Sequence, residues 1–375
     1  MPKLQQINIT SFRNLRSVSL LPGGGINLIH GANGSGKTSL LEAISVLAHG
    51  RSFRTHKYRP LVNEGEREFT LFAVLEDEGS AVSHKLGVTR QLQGDVNIRL
   101  DGQSVKTSAE LAHQLPLLTM NTNSFQLLEG SSKYRRQFFD WLVFHVKHDF
   151  KSVWKDYVRC VKHRNSLLRR GKISTGELQP WDREVARLGH ALEDMRAEIF
   201  EAFHPFFQNI VSSFPFNKAD ESPVVLAYHS GWKDDVPFEK QLQEHLERDI
   251  KLGYTNIGSH RSDLKITRNK APATEMLSRG QQKSVILSLF LAEAGLFQQM
   301  TNRKALFLLD DLPAELDSEN MQIVGKAIKA MESQVFVTAI AKDAIIEPWD
   351  LKDEEQLQMF HVKHGEIQVS PLTTH

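Results

Sequence analysis

The chain has 375 residues, with 46 Lys and Arg against 45 Asp and Glu, one cysteine, and a formal net charge of +1. This length is enough for two lobes with separate cores, and the single cysteine, Cys160, excludes an intrachain disulfide. With near-neutral charge, any affinity for nucleic acid has to come from a local excess of Lys and Arg. No apolar run is long enough to span a membrane and no signal-peptide core is present, so we expect a cytoplasmic protein without a membrane partner.

A phosphate-binding loop lies near the start of the chain. Residues Gly31 to Thr38 read G-A-N-G-S-G-K-T and fit the pattern G-x-x-x-x-G-K-[ST]. The apolar run Ile26 to Ile29 before them predicts a buried strand, and the apolar spacing of Ser39 to Leu47 after them predicts a helix. A bound phosphate would therefore lie at a helix N-terminus, where unpaired N–H groups attract anions.

The whole loop is a candidate nucleotide site. Lys37 is expected to reach the β- and γ-phosphates as a catalytic residue, and the Thr38 hydroxyl is expected to bind Mg²⁺. A glycine-rich turn with an incidental lysine is the alternative, which the flanking strand and helix disfavour. The candidate ligands are Gly31, Ala32, Asn33, Gly34, Ser35, Gly36, Lys37 and Thr38.

Further along the chain, a strand-rich region gives way to a basic helical one. Alternating apolar residues between Phe69 and Leu100 predict an antiparallel sheet. The segment Ser131 to Lys172 holds twelve Lys or Arg against three Asp, a net charge of +9. Helical spacing within it predicts a basic stripe that is a candidate contact for a DNA phosphate backbone, with a solvated helix face as the alternative. The stripe consists of Lys151, Lys155, Arg159 and Lys162.

A second motif precedes the apolar helix predicted over Val285 to Leu296. Residues Leu277 to Gln282 read L-S-R-G-Q-Q and resemble the signature motif of ABC-type ATPases. In that superfamily a Ser and a Gly at a helix N-terminus bind the γ-phosphate held by the opposite subunit. The resemblance makes Ser278, Arg279, Gly280 and Gln281 candidate ligands in trans, whereas a serine that merely caps its helix is the alternative.

Two acids follow the next apolar run. Ala305 to Leu309 predicts a buried parallel strand, and Asp310 and Asp311 stand at its carboxyl end. We expect Asp310 to hold Mg²⁺ and Asp311 to polarise the attacking water as a catalytic residue. Asp317, in A-E-L-D, matches the D-loop of the same superfamily. Acids that cap a following turn or helix are the alternative.

The order of these motifs indicates an α/β fold, an ABC-type P-loop ATPase head with a mixed sheet, flanking helices and a helical lobe II that carries the signature motif. We expect lobe I in residues 1–114 and 300–375, and lobe II in residues 115–299. The resemblance implies a head-to-head homodimer that holds two ATP molecules with Mg²⁺ at its interface.

Further segments are not general to ABC ATPases and resemble, end to end, the RecF family of bacterial recombination mediators. This resemblance implies an ATP-dependent dimer that binds duplex DNA near single-strand gaps and, with RecO and RecR, helps to load RecA recombinase. The segments are Phe12-Arg13-Asn14, Gly50 to Thr55, Lys133 to Arg136, Phe139 to Trp141 and Gly258 to Leu264, beside the signature motif and the acids.

Three departures from the ABC pattern bear on the chemistry. Asp311 stands where many ABC ATPases have Glu, Ala339 and Ile340 stand where transporters have a switch histidine, and a clear Q-loop is missing, with Asn123 and Gln126 as candidates. We therefore expect a slow DNA-dependent ATPase in which ATP acts as a dimerisation switch. The alternative is an ABC transporter subunit or another SMC-like head; the missing histidine and the basic segment disfavour the first, and the lack of a long coiled coil disfavours the second.

Overall fold

The computed structural model describes residues 2–77, 82–93, 96–105, 107–171, 175–218, 222–233, 235–351 and 357–370. Their strands are β1 (Pro2–Phe12), β2 (Leu15–Leu20), β3 (Ile26–His30), β4 (Glu68–Asp77), β5 (Ser83–Gln91), β6 (Val96–Leu100), β7 (Gln103–Ser104), β8 (Leu117–Met120), β9 (Val225–His229), β10 (Asp263–Arg268), β11 (Ala271–Pro272), β12 (Leu306–Leu309), β13 (Val335–Ala339), β14 (Leu357–Lys363) and β15 (Glu366–Ser370). Their helices are α1 (Lys37–His49), α2 (Ser108–Gln114), α3 (Gln126–Glu129), α4 (Ser132–Val146), α5 (Phe150–Leu168), α6 (Thr175–Val211), α7 (Pro215–Lys218), α8 (Phe238–Glu244), α9 (Leu246–Leu252), α10 (Ala273–Met276), α11 (Arg279–Thr301), α12 (Ser318–Met331) and α13 (Asp343–Trp349).

The chain divides into two compact units. The first contains the residues up to Ser124 and from Lys283 onward, and the second contains Phe125–Gln282. These limits differ from the expected ones at 114/115 and 299/300. Strand β8 pairs with β12 of the first unit, and the ammonium group of Lys283 donates to the carbonyl oxygen of Leu312 in the same unit at 3.1 Å.

The first unit contains two sheets. One is antiparallel, in the order β2-β1-β4-β5-β6-β7, so the sheet predicted between Phe69 and Leu100 is present as β4, β5 and β6. The other has the order β15-β14-β3-β13-β12-β8, in which β15 alone pairs antiparallel. Since β3, β13 and β12 are adjacent and parallel, the loops that follow them meet at one edge of the sheet.

Helix α1 packs into the core of the first unit. Leu40 and Ile44 of α1 share one apolar cluster with Ile7 and Leu71 of the antiparallel sheet and with Phe336 of the mixed sheet. Every residue of α1 from Ser39 to Ala48 is buried, as expected for a helix that is covered on all sides. Each fully buried Leu or Ile contributes roughly 1.5–3 kcal/mol to stability, so the helix that begins at the phosphate loop is firmly held.

The second unit combines helices α4, α5 and α6 with a small sheet, β11-β10-β9. The apolar faces of the helices meet around aromatic side chains, among them Phe139 and Phe203, whose rings lie 6.0 Å apart. Arg164 of α5 is fully buried and donates to Asp182 and Asp249, each at 2.6 Å. This arginine of the basic segment is therefore buried and paired, and it does not add to the positive charge of the surface.

Helix α11 has the length and apolar composition of a membrane span. However, 72% of its most apolar window is buried within the fold. Side chains along it such as Val285, Leu289 and Leu296 are almost fully covered. This is the behaviour of a core helix in a folded domain.

Candidate functional site

The phosphate loop joins β3 to α1 and takes a conformation that needs glycine. Gly36, the residue before α1, has φ 125°, and a Cβ there would lie 3.1 Å from Nδ2 of Asn14. Gly31 has φ 152°, and a Cβ there would approach the carbonyl oxygen of Val362 to 2.3 Å. The backbone is thus free to curve towards the helix N-terminus, where its N–H groups can face an anion.

Lys37 lies inside this loop. Its side chain is 8% exposed, and Nζ donates to the carbonyl oxygens of Gly31 at 2.7 Å and Ala32 at 3.0 Å. Burial lowers the pKa of this ammonium group, and the negative charges of Asp311 and Asp310 oppose the shift. The lysine is therefore held beside the N–H groups that would receive phosphate oxygens.

Thr38 and Asp310 meet across the edge of the mixed sheet. Oγ1 of Thr38 lies 3.0 Å from both carboxylate oxygens of Asp310, and the hydroxyl of Thr338 donates to Oδ1 of Asp310 at 2.8 Å. Burial raises the pKa of Asp310, and the two hydroxyl hydrogen bonds oppose that shift. A hydroxyl and a carboxylate in contact fit Mg²⁺, which takes oxygen ligands and is usually held by one or two protein groups together with phosphate.

Asp311 lies next to this pair in an unusual backbone conformation. Its φ is 51°, a left-handed value that Asp tolerates better than most residues, and its side chain is exposed. Its N–H donates to the hydroxyl of Thr338 at 2.8 Å, and its carbonyl oxygen accepts from Lys283 at 3.4 Å. Thr338 thus contacts both acids, although nothing in the motif pattern pointed to it beyond its place at the end of an apolar strand.

The turn Phe12-Arg13-Asn14 holds the phosphate loop from the side. Nδ2 of Asn14 donates to the carbonyl oxygen of Ser35 at 3.1 Å, and the N–H of Gly365 donates to the same oxygen at 2.8 Å. Gly365 itself has φ 83°, and a Cβ there would lie 2.1 Å from the carbonyl oxygen of Asn14. The β14-β15 turn and the Asn14 turn therefore clamp the loop between them.

Glu42, in the second turn of α1, is a buried carboxylate that binds Arg13 and the segment after α1. It is fully buried and accepts two hydrogen bonds from Arg13, at 2.9 and 2.7 Å, and one from Ser52 at 2.5 Å, with Arg54 at 3.5 Å. Such a carboxylate needs these partners, because an unpaired buried charge is costly. Sequence reasoning missed Glu42, although a lone acid within an otherwise apolar helix is a signal that points to it.

The phosphate loop borders a cavity of about 1230 Å³. Its walls come from the phosphate loop, the Arg13-Asn14 turn, residues 60–64, the two acids and the β14-β15 turn. The chamber is large enough for a nucleoside triphosphate. The structure thus brings Lys37, Thr38, Asp310 and Asp311 to one chamber.

The signature motif lies in the second unit. Ser278 is exposed and precedes α11; its N–H donates to Oε1 of Gln281 at 3.0 Å, and its Oγ accepts from the N–H of Gln281 at 3.4 Å. This reciprocal pair is a capping box. Arg279 forms an ion pair with Glu129 and lies over the ring of Phe125. Within one chain, then, Ser278 and Gln281 complete the end of their own helix.

Asp317 also has a partner within its own chain. Its carboxylate accepts from the N–H of Asn320 at 2.8 Å and from Nδ2 of the same residue at 3.0 Å, which makes it the N-cap of α12. The cap fixes where the loop after Asp311 ends and α12 begins. Asp317 is exposed in this position.

The basic stripe of α5 lies on the surface. Its side chains are exposed, and Arg159 makes an ion pair with Asp156 at 3.2 Å. Part of the remaining charge of the segment is neutralised by acids of the second unit, since Arg135 pairs with Asp263 and Lys147 with Glu198, while Lys172 lies outside the described residues. The surface excess of positive charge is therefore smaller than the sequence count. The exposed members of the stripe are Lys151, Lys155, Arg159 and Lys162.

Among solved structures, the chain is similar to the recombination mediator protein RecF-ATP of the RecFOR pathway, with a TM-score of 0.84, 24% identity, and coverage of 98% of this chain and 99% of that one. It is also similar to an Smc head bound to the C-winged helix domain of ScpA, with a TM-score of 0.61, 16% identity, and coverage of 98% and 97%. These likenesses concern the fold, and they confirm the predicted ABC-type head.

Sequence relatives cover almost the entire chain. The family model of the RecF/RecN/SMC N-terminal domain matches residues 3–368. The DNA replication and repair protein RecF of Teredinibacter turnerae is 54% identical over 369 residues, which are 98% of this chain and 97% of that protein. Its counterpart from Saccharophagus degradans is 48% identical over 371 residues, 99% of this chain and 100% of that protein. The chain belongs to the RecF family of DNA replication and repair proteins.

Proposed function

We propose that this chain is an ATP-dependent DNA-binding protein of recombinational repair, in which ATP and Mg²⁺ hold two copies head to head. The observation that carries the nucleotide part is the contact of the Thr38 hydroxyl with both oxygens of Asp310 at 3.0 Å, beside Lys37 at the start of α1. Membership of a family of replication and repair proteins supports the DNA part, and the description of a RecF structure as RecF-ATP supports the choice of nucleotide.

The residues of the cavity have separate roles in this proposal. The N–H groups of Gly31 to Thr38 receive phosphate oxygens, and Lys37 neutralises their charge. Thr38 and Asp310 hold Mg²⁺, which when bound neutralises charge on the β- and γ-phosphates. Asp311 acts as the base that orients the attacking water, and its side chain is one methylene shorter than that of Glu. Hydrolysis is therefore slow, and it serves to release the dimer.

The second copy completes each site. Ser278, Arg279, Gly280 and Gln281 of one copy face the γ-phosphate held by the other, where the N-terminus of the 23-residue helix α11 favours an anion. The exposure of Ser278 and Arg279 supports this role, because a group that is covered within its own chain could not serve a neighbour. Asp317 lies at the same interface.

Duplex and gapped DNA are the proposed ligands of the dimer, through the basic stripe of α5. RecR, with RecO, is the proposed protein partner in the loading of RecA, and the cytoplasm is the proposed location. A transporter subunit is disfavoured, since Thr338 of β13 contacts the two acids and is followed by Ala339 and Ile340 where a transporter would carry its switch histidine.

The proposal is tested by light scattering on the full chain with Mg²⁺ and with ATP, ADP or no nucleotide, in the presence and absence of duplex DNA. We expect a mass near 42.6 kDa without ATP and about twice that mass with ATP. Lys37→Ala should stay monomeric with ATP, whereas Lys326→Ala, an exposed lysine of α12, should dimerise as the unmodified chain does. A chain that stays monomeric at saturating ATP, or that never binds duplex DNA, would overturn the proposal.

A further inference from the structure

The connection between α1 and β4 carries an unbalanced charge. Residues Arg51 to Pro60, which we call the basic loop, contain four Lys or Arg and no Asp or Glu. All four side chains are exposed. Over the described part of the chain, Arg51, Lys57 and Arg59 form no ion pair, whereas Arg54 lies 3.5 Å from Glu42. A formal charge of +4 is thus concentrated in ten residues.

The start of the basic loop is anchored in the interior. Ser52 is 7% exposed, and its hydroxyl donates to Glu42 at 2.5 Å. The same oxygen accepts from the N–H groups of Arg54 at 2.9 Å and Thr55 at 3.1 Å. Asn123 donates to the carbonyl oxygen of Phe53 at 3.0 Å. The first half of the loop is therefore a fixed turn built on the buried carboxylate of α1.

The end of the basic loop is connected to the same carboxylate through Arg13. Arg13, which pairs with Glu42, also donates from Nη1 to the carbonyl oxygen of Pro60 and from its N–H to that of Leu61, both at 2.8 Å. Between the two anchors, the guanidinium carbon of Arg90 lies 3.0 Å from the centre of the Tyr58 ring. The exposed Lys and Arg side chains thus project from a turn whose two ends are fixed by hydrogen bonds.

Holding like charges together in this way costs free energy through their mutual repulsion, and a polyanionic partner removes that cost. A regular array of phosphates fits best, because duplex DNA carries about one negative charge per 1.7 Å of its axis. The side chains of Arg51, Lys57 and Arg59 do not line the nucleotide cavity, whereas Arg54 and Pro60 do. The outer cations of the loop are therefore available to a second ligand while the cavity holds a nucleotide.

We propose that the basic loop is a contact for the phosphate backbone of duplex DNA, additional to the stripe of α5. The contact is independent of base sequence, since exposed Lys and Arg side chains that bind phosphate oxygens do not read the base edges. The inference rests on the proposed function, because it takes duplex DNA as the ligand of this protein.

The test compares full-length variants for binding to a labelled duplex, with ATP and Mg²⁺ present, between about 50 and 200 mM salt. For the double variant Lys57→Ser with Arg59→Ser we expect affinity to fall about fivefold or more and the salt slope to decrease by about 1–2, with ATP affinity unchanged. The control is Arg67→Ser with Lys326→Ser, which removes the same charge from two other exposed positions of the same unit.

A larger loss of DNA affinity in the loop variant than in the control supports the inference. Equal losses, or an unchanged salt slope, overturn it while the proposed function stands. A loss of ATP affinity together with DNA affinity would make the loop a contact for nucleotide phosphate and would also overturn it. Failure of the unmodified chain to bind duplex DNA at any salt concentration would overturn the proposed function and this inference with it.

Discussion

The hydroxyl of Thr338 forms hydrogen bonds with both acids of the site. Its side chain is fully buried; it donates to Asp310 and accepts from the N–H of Asp311, each at 2.8 Å. The hydroxyl thereby opposes the rise in the pKa of Asp310 that burial causes. It also holds Asp311 in its left-handed conformation. A residue of β13 thus positions groups that follow β12.

Thr338→Val keeps the shape of the side chain but removes both hydrogen bonds. We expect a loss of about 1–3 kcal/mol in the free energy of unfolding, because the N–H of Asp311 is left without its acceptor. ATP hydrolysis should fall by about tenfold or more while ATP affinity changes little, since the misplaced group, Asp311, is the proposed general base. Phosphate release and nucleotide titration measure the two quantities. Thr301→Val, which removes a hydroxyl bonded to the carbonyl oxygen of Phe297, should lose stability and keep its hydrolysis rate.

Glu293 makes stability depend on pH. The side chain is buried in α11, neither carboxylate oxygen has a hydrogen-bond partner in the described part of the chain, and burial raises its pKa well above the usual value. The folded state therefore keeps the proton at pH values where the unfolded state has lost it. Stability falls as the pH rises above the ordinary Glu value, by about 1.4 kcal/mol per unit until the folded-state pKa is reached.

Glu293→Gln should remove this dependence. We expect the variant to gain stability relative to the unmodified chain, and the gain should be larger at pH 8 than at pH 5.5, because only the unfolded glutamate ionises over that interval. Urea unfolding at the two pH values measures it. A difference in stability that does not change with pH would mean that Glu293 is ionised in the folded protein.

At the scale of elements, α1 and α5 differ in where their charged side chains lie. Helix α1 is covered by two sheets, so its one acid, Glu42, needs Arg13 and Ser52 as partners. Helix α5 is covered on one side only. Its inner arginine, Arg164, is neutralised by two buried aspartates, and its outer cations are exposed at the surface. The basic segment is therefore partly structural, and only its outer face is available to DNA.

Replacing Lys151, Lys155 and Arg159 together with Ser should weaken binding to duplex DNA and lower the salt slope by about 2–3, since each phosphate contact that is lost releases one counterion fewer. Titrations at several salt concentrations measure this slope. ATP affinity should not change. An unaltered slope would place the DNA on another surface.

At the scale of the whole molecule, the proposed function requires a site that is shared between two copies of the chain. The P-loop belongs to the first unit, whereas Ser278 belongs to the second, where it caps its own helix and remains exposed. In the proposed dimer the P-loop of one copy and Ser278 of the other enclose the same nucleotide. Such a site predicts complementation between two inactive variants.

Ser278→Arg should bind ATP but fail to dimerise, because a bulky cation replaces the small cap that would face the γ-phosphate. Mixed with Lys37→Ala, it should form a heterodimer through the one composite site that keeps both motifs, and light scattering measures this. Removal of the cap costs about 1 kcal/mol, so thermal unfolding of the monomer is the accompanying control. Dimerisation of Ser278→Arg alone, to the normal extent, would contradict the arrangement.

The sequence by itself determined the family and the fold class, and it predicts the chemistry of the phosphate loop. These features are local: Gly31 to Thr38 and the strand ending at Asp310 each depend on neighbours within a few residues, and glycine, lysine and aspartate at that spacing leave few other structures. The tertiary structure alone decided the partners of those residues. Glu42, Thr338 and Gly365 act through contacts with residues that are distant in sequence, and pairing of β8 with β12 moved the first boundary between the units to Ser124. The periodicity of one segment does not show which strand or helix packs against it. That neighbour decides whether a charged side chain is buried with a partner or exposed to water.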